Sequence, residues 1–276
     1  MSKTWFITGA SSGFGRAFAE HAIARGYNVV ATARSTSRLE ELVALAPERV
    51  LALALDVDRS GEAKHAVDAA AARFGRIDVL INNAGFGMVG AVEETPEPEL
   101  RAIMETNFFG AVAMVRAVLP LLRAQKSGAI VNVSSMGGQL SYGGFGPYSA
   151  SKFALEGISE SLAQEMAPFG VKVLIVEPGA FRTQFAGSAL REMPIIDAYR
   201  DVVGGIRDYA QSMHNTQAGD PRKAAEAVER ALDAAKTPLR LQLGADAIKA
   251  VREHAEALLK DLAEWEAVGA ATGFEE

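Results

Sequence analysis

Trp5-Phe6-Ile7-Thr8-Gly9-Ala10-Ser11-Ser12-Gly13-Phe14-Gly15 runs from a short apolar stretch into a glycine-rich turn, and a helical pattern over Arg16–Arg25 follows at once. Glycines at a strand-to-helix turn let the backbone approach a pyrophosphate, while the helix N-terminus offers free N–H groups and a partial positive charge. Three residues separate the first two glycines, against one in the G-x-G-x-x-G fingerprint, so the turn alone reads equally as a nucleotide site or as a tight βα turn. The flanking runs extend the pattern. Asn28–Ala33, Val50–Leu55, Val79–Asn82 and Ala129–Val133 read, like Trp5–Thr8, as strands without polar alternation, the mark of strands buried on both faces of a parallel sheet. Lys172–Val176 makes a sixth and Leu239–Leu243 a seventh. Between them lie helical stretches such as Ala63–Phe74, with Val67, Ala70, Ala71 and Phe74 at helical spacing. Strand–helix alternation predicts right-handed crossovers and an α/β, Rossmann-type doubly wound parallel sheet of about seven strands, with helices on both faces.

The 276 residues carry 28 basic and 34 acidic side chains, a net charge of −6, and 49% are hydrophobic. A chain of that balance buries a core, and it lacks the clustered basic charge on which general nucleic-acid binding rests. With no cysteine, disulfides, thiolate catalysis, thiolate zinc sites and iron–sulfur clusters are excluded. No linker-like run or internal repeat divides the chain, so a single domain over residues 1–276 is expected. Residues 181–221 mix Met, Pro, Gly and aromatic side chains around a helix at Asp197–Met213 and read as a substrate lid. An added C-terminal helix over about 246–265 has Ile248, Val251, Ala255, Leu258, Leu259, Leu262 and Trp265 on one face, predicting that it packs back onto the body; Gly269 to Glu276 should fray. The N-terminus lacks a leader pattern and no stretch reads as the roughly 18 apolar residues of a membrane helix, so a cytoplasmic protein without membrane partners is expected.

Two further features suggest chemistry. A NAD-binding dinucleotide fold places an acid about 20 residues past the glycines, on the ribose 2′-hydroxyl. Counting from Gly13 reaches Ala33 and then Arg34; a guanidinium without an acid suits the 2′-phosphate of NADP, with Arg38 as a weaker helper, against the ordinary reading of a solvated surface arginine. Tyr148 and Lys152 stand four apart at the start of a helical stretch that runs through Phe169, and so share a face. An ammonium beside a phenol lowers its pKa and lets it exchange protons with an alcohol or carbonyl. Ser134 and Ser135 follow the strand Ala129–Val133, at the carboxyl end where open sheets bind ligands. Separately each feature has a dull explanation; their coexistence on one nucleotide-type chain is what counts.

Together these motifs resemble those of the short-chain dehydrogenase/reductase family, non-extended type, in its hydroxysteroid and retinol dehydrogenase-like branch. The match runs through Thr8, Gly9, Ser11, Ser12, Gly13, Phe14 and Gly15, then Asp56 and Val57, Asn82-Asn83-Ala84-Gly85, Asn107, Ser135, Tyr148, Lys152, Pro178, Gly179 and Thr183. The family's serine precedes its tyrosine by 13, which selects Ser135 over Ser134. The resemblance implies catalytic roles for Asn107, Ser135, Tyr148 and Lys152. Tyr148 would be the general acid or base, Lys152 would hold the ribose hydroxyls and lower the tyrosine pKa, and Asn107 would hold a water linking Lys152 to solvent. It implies cofactor contacts for the glycine motif, Arg34, Asp56, Val57, Asn83, Ala84, Gly85, Pro178, Gly179 and Thr183, as well as for Tyr148 and Lys152. NADP is the implied cofactor, with NAD open because Ser11 and Ser12 stand where many NADP-preferring members carry a basic residue. No metal is implied, and His21, His65, His214 and His254 lack metal-ligand spacing. Gly137, Gln139, Leu140, Phe145, Phe181, Phe185, Met193 and Met88 are expected to line a pocket for an apolar ketone, aldehyde or alcohol. A homodimer or homotetramer would form through the helices Glu99–Gln125 and Ser149–Phe169. The alternative reading is a regulatory protein that senses the dinucleotide without turning it over.

Overall fold

A computed structural model describes residues 2–213 and 215–274; His214 and the end of the tail expected to fray lie outside the described residues. Seven strands form one sheet in the order β3-β2-β1-β4-β6-β7-β9. They are β1 (Thr4–Ile7), β2 (Asn28–Ala33), β3 (Val50–Ala54), β4 (Val79–Asn82), β6 (Gly128–Val133), β7 (Val171–Pro178) and β9 (Arg240–Leu243), and every pairing is parallel. This is the doubly wound α/β fold expected from the sequence.

Successive side chains of a strand point to opposite faces, and β1 shows what that does here. Trp5 and Ile7 face one layer of helices, α1 (Gly13–Ala24), α2 (Glu40–Leu45) and α8 (Pro221–Asp233), where Phe18, Leu42, Val228 and Leu232 are buried. Phe6 faces the other, α3 (Glu62–Phe74), α5 (Ala111–Gln125) and α6 (Gly146–Met166), with Val67, Met114, Val118 and Leu162. Both faces being covered, the strands need no polar alternation. The chain winds outward from β1 to β3 and then returns past β1 to begin β4. The order therefore reverses between β1 and β4, and a crevice opens at their carboxyl ends, where doubly wound sheets take ligands.

Residues 97–125 differ from the sequence reading of membrane-length stretches: they include an 18-residue window apolar enough to cross a bilayer. In the fold that apolarity has another use, since Met114, Val115, Val118 and Leu122 bury one face of α5 in the core. The helix runs on from α4 (Glu97–Met104) through a single π turn, Glu105–Gly110.

Residues 181–221, expected to form a lid, carry α7 (Arg200–Ser212) and a short strand, β8 (Leu190–Glu192), which pairs with β5 (Gly87–Val89) in a separate parallel ribbon. A buried ion pair fastens this segment: Arg207 Nη2 donates to Glu94 Oε2 at 2.7 Å, and Glu94 also accepts from the backbone N–H groups of Ala91 and Ile196. Burial works against the Glu94 charge, yet those backbone donors and Arg207 hold its carboxyl below the usual value.

The C-terminal helix α9 (Ala245–Ala270) corrects one expectation. It does not pack back onto the body. Only its first turns touch the rest of the chain, and Leu258, Leu262 and Trp265 are 55%, 66% and 63% exposed. The periodicity correctly marks an apolar face, but a sequence does not say what that face meets.

Candidate active site

At the crevice, the turn after β1 is drawn tight. The Ala10 N–H donates to Thr32 O, tying the turn to β2. Thr8 Oγ1 accepts from the N–H groups of Asn83 and Ala84 at 2.9 and 3.0 Å, and Asn83 Nδ2 donates to Thr8 O and Gly9 O. These bonds bring the loop after β4 against the glycine turn, so that the two halves of the crevice share one floor. Gly15 sits where a Cβ would collide with Gly9 O and Asn83 Nδ2, which lets the first turn of α1 approach the loop closely.

A cleft of about 770 Å³ opens above this floor. From the glycine turn it is lined by Gly9, Ser11, Ser12, Gly13 and Phe14; from the ends of β2 and β3 by Arg34, Asp56 and Val57; from the loop after β4 by Asn83, Ala84 and Gly85. Pro178, Gly179 and Thr183 close it after β7. Its volume and glycine-lined floor fit a dinucleotide with its pyrophosphate at the N-terminus of α1. Arg34 and Arg38 are exposed at one end, and neither makes an ion pair among the described residues. Thr8, Gly15 and Asn107, expected at the site, do not line the cleft; they shape it from beneath.

Ser135, Tyr148 and Lys152 converge at the middle of the cleft. Ser135, two residues past the end of β6, is in extended backbone, and its Oγ accepts from the Gly137 N–H at 3.0 Å. Tyr148 and Lys152 are one helical turn apart at the start of α6, on the face turned to the crevice. The Tyr148 ring sits between Phe145 and Phe185, with centroids 6.4 and 5.3 Å away. Lys152 Nζ donates to Val133 O at 2.8 Å and lies 5.9 Å from the Tyr148 ring centroid.

The electrostatics differ from the sequence expectation of a lowered phenol pKa. Burial pushes the Tyr148 hydroxyl up to about 12, against its hydrogen bond with Ser135. Burial likewise pushes the Lys152 ammonium down to about 8, the carboxylate of Glu156 opposing. Each group loses hydration that no neighbour fully replaces. The Tyr148 hydroxyl therefore keeps its proton at neutral pH.

Asn107 sits in the π turn, buried, and uses its amide on protein partners. Oδ1 accepts from the Phe86 N–H, while Nδ2 donates to Phe86 O and Ser151 Oγ, all at 3.0 Å. It ties the loop after β4 to α6 within a turn of both Tyr148 and Lys152, which makes it a positioning residue in this structure. π turns inside α-helices recur at functional sites because they re-aim a side chain.

Behind the serines lies a group that sequence reasoning missed. Glu156 and Glu177 are both buried, and Arg240 Nε reaches Glu156 Oε2 at 2.9 Å and Glu177 Oε1 at 3.2 Å. Gln139 Nε2 donates to both carboxylates, which places this expected pocket residue in the wall rather than in the cleft. Gln242 donates to Glu177 Oε2. Two buried carboxylates share one guanidinium, so burial and then the charge of Glu156 push the Glu177 carboxyl up to about 7. In the unfolded chain the same carboxyl titrates at its ordinary, lower value. The folded state therefore holds a proton that the unfolded state has released, and this contribution to stability is present at acid pH and lost as pH rises through about 7. Glu156 Oε1 has no hydrogen-bonding partner among the described residues, nor has the buried Ser134 Oγ. The Glu156→Gln variant keeps the acceptor and adds a donor on that side. It is expected to be more stable than the parent by about 1–2 kcal/mol at pH 8, with the difference vanishing near pH 5. Urea titrations at both pH values check this; an equal effect at both would show that the pair holds no shared proton.

At the far end, residues 181–221 supply more of the wall than expected. Phe145, Phe181, Phe185 and Gly137 line the cleft, joined by Tyr142, Ile206, Tyr209 and Met213. Leu140, Met88 and Met193 do not line it; the two methionines pack with Ile103 and Tyr148 in a small core beneath the lid. Among the described residues no group of acidic or histidine side chains is placed to hold a metal, and His21 instead bonds Glu229 at 2.8 Å.

The profile of the short chain dehydrogenase family matches residues 3–194. An oxidoreductase of Botryotinia fuckeliana, BOA17, is 41% identical over 266 residues, covering 96% of this chain and 97% of that protein. The solved structure of a short-chain dehydrogenase from Streptomyces avermitilis superposes with a TM-score of 0.94 at 50% identity, covering 99% of this chain and 100% of the other. A short-chain dehydrogenase/reductase from Burkholderia phymatum, in complex with NAD, superposes with a TM-score of 0.82 at 26% identity over 94% and 95% of the two chains.

Proposed function

The chain belongs to the short-chain dehydrogenase family of oxidoreductases, and on that premise we propose that it interconverts an apolar ketone or aldehyde and the corresponding alcohol with NADP(H). The observation that carries the reading is the convergence of Ser135, Tyr148 and Lys152 on one wall of the cleft whose floor is the glycine turn. The dinucleotide, when bound, supplies hydride to a carbonyl carbon or takes it from an alcohol carbon.

The chain's own groups do the rest. Ser135 Oγ and the Tyr148 hydroxyl together hold the substrate oxygen, and Tyr148 delivers a proton to it in reduction or removes one in oxidation. With its hydroxyl pushed up to about 12, Tyr148 keeps its proton until charge builds on the substrate oxygen. Lys152 contributes positive charge beside the phenol and donors toward a ribose; because its ammonium is pushed down to about 8, carbonyl reduction should decline as pH rises through that value. Phe145 and Phe185, packed about Tyr148, exclude water from the proton path. Asn107 holds the loop after β4 and α6 in register for this work. Phe14, Thr183 and the backbone about Gly9 to Gly13 would seat the pyrophosphate and nicotinamide, and Asp56 and Val57 the adenine.

NADP preference rests on Arg34 and Arg38, two cations at the cleft without carboxylate partners among the described residues, where a 2′-phosphate would lie. Replacing Arg34 by alanine should raise the NADPH dissociation constant about 10- to 100-fold, the worth of one charge-assisted phosphate contact, and change that for NADH about twofold at most. Fluorescence titration with both cofactors measures this; equal losses would move the phosphate contact elsewhere. The apolar substrate class rests on the aromatic and aliphatic wall of Phe145, Phe181, Phe185, Ile206, Tyr209 and Met213. A screen of NADPH consumption over aliphatic, aromatic, steroidal and retinoid carbonyls tests it, and preference for small charged carbonyls would refute it. We also propose association into a homodimer or homotetramer through residues 99–125, which run from α4 through the π turn into α5, and through α6, where Phe109 of the π turn and Phe153 of α6 are exposed.

A further inference from the structure

The part of α9 that leaves the body has a regular seam. Ile248, Val251, Ala255, Leu258, Leu262, Trp265 and Gly269 follow one another at alternating steps of three and four, the a and d positions of a heptad repeat sustained over three heptads. From Ala255 onward every described residue of the helix is exposed, and Leu259 and Val268 widen the seam on either side. A lone helix with such a stripe is marginal in water, since most helical stability in proteins comes from packing an apolar face.

We infer that α9 pairs with α9 of a second copy of this chain as an antiparallel two-stranded coiled coil centred near Lys260. Charge decides both the occupant and the direction. With the two-fold axis at residue 260, Leu258 meets Leu262 of the second copy, Ala255 meets Trp265, and Val251 meets Gly269. Beside this seam, Arg252 of each helix comes within about 3 Å, along the axis, of Glu266 of the other, two opposite-charge pairs, and Leu259 comes as near to its own copy. The one like-charge meeting is Asp261 with its own copy. In the parallel arrangement Asp261 would face Glu266 twice, and Arg252 would face Ala247, which is buried in the body. Parallel pairing would also bring the two bodies together at the same end. The antiparallel arrangement sets the points where α9 leaves each body about 30 Å apart, from the helical rise of about 1.5 Å per residue. A bilayer is the weaker occupant, because α9 carries six acidic residues and three basic ones, the opposite of a helix drawn to anionic lipid.

The seam is separate from the α5 and α6 surface, so the two associations can be told apart in the full-length protein. Replacing both Leu258 and Leu262 by lysine should halve the molar mass measured by light scattering and sedimentation, with NADPH oxidation unchanged and any loss of helix content no larger than the exposed part of α9. Arg252→Glu and Glu266→Arg should each weaken the association, and the two together in one chain should restore it. Because the chain has no cysteine, single cysteines at 249 and 259 take spin labels uniquely. Antiparallel pairing predicts a separation of about 33 Å at 249 and a short one at 259, from the helical rise. Short distances at both sites would establish parallel pairing and overturn the proposal. So would an unchanged molar mass in the Leu258, Leu262 variant, or a blue shift of tryptophan emission that depends on Trp265 and appears only with phosphatidylglycerol vesicles.

Discussion

Replacing Tyr148 by phenylalanine is expected to lower turnover by about three orders of magnitude while leaving dinucleotide affinity within a few-fold of the parent. The ring is buried and touches Phe145 and Phe185 through its edges and faces, contacts a phenylalanine keeps. What the variant lacks is the phenolic hydroxyl that interacts with Ser135 and lines the cleft. Ser135 alone can hold an oxygen, but as a far weaker acid it cannot relay the proton. The loss should therefore fall on kcat, with KM little changed. Steady-state rates combined with cofactor titration by fluorescence separate the two effects. A Tyr148→Phe enzyme turning over at a tenth of the parent rate would remove Tyr148 from the chemistry, and a matching loss of cofactor affinity would assign it to binding.

A second large effect is expected from a single methyl group at Gly15. An alanine Cβ there would lie closer to Gly9 O and Asn83 Nδ2 than real contacts allow, and Gly9 O is backbone of the phosphate turn itself. Something must shift, and every neighbour is tied: Asn83 donates to Gly9 O and Thr8 O, and Thr8 accepts from Asn83 and Ala84. Gly15→Ala should cost about 2–3 kcal/mol of stability, as overpacking in a fixed core does. It should also weaken dinucleotide binding about 100-fold, because the turn that meets the pyrophosphate is displaced. Gly26→Ala is the control: a Cβ at Gly26 meets nothing within 4 Å, so its positive φ costs about 1 kcal/mol without touching the cofactor. Denaturant midpoints and cofactor titrations on both variants make the comparison. Equal cofactor affinity in the two would show that the turn tolerates displacement.

How far the sequence could be read follows from the range of the interactions involved. The strands were legible because both faces of the sheet are covered: a run such as Val29, Val30 and Ala31 needs only short-range apolarity to be recognised. Tyr148 and Lys152 were legible because a helical turn joins them, and Arg34 because a strand of fixed length separates it from the glycines. The rest depends on distant partners. Met88 and Met193 look like pocket residues until β5 pairs with β8 and turns them into the small core under the lid. Ile206 and Tyr209 reach the cleft because the Arg207–Glu94 pair seats α7. Glu156 and Glu177, read along the chain, are ordinary charged residues of a helix and a strand; only the arrival of Arg240 from the last strand makes them a buried group. For α9, periodicity marked the apolar face and misjudged what it covers.

The π turn at Glu105–Gly110 sets a condition of a different kind, on the length of the chain. It lengthens the helix by one residue relative to an α-helix of the same path, and each residue of an α-helix turns its successor by about 100°. Deleting Phe108 would convert the turn to regular helix. Either Asn107 would keep its phase, or Met114, Val118 and Leu122 would keep theirs against the sheet, but not both. Where the larger core contacts prevail, the asparagine would remain in the chain while its amide pointed away from Phe86 and Ser151. In a lineage of such chains, a one-residue deletion here would silence the enzyme without altering any named catalytic residue.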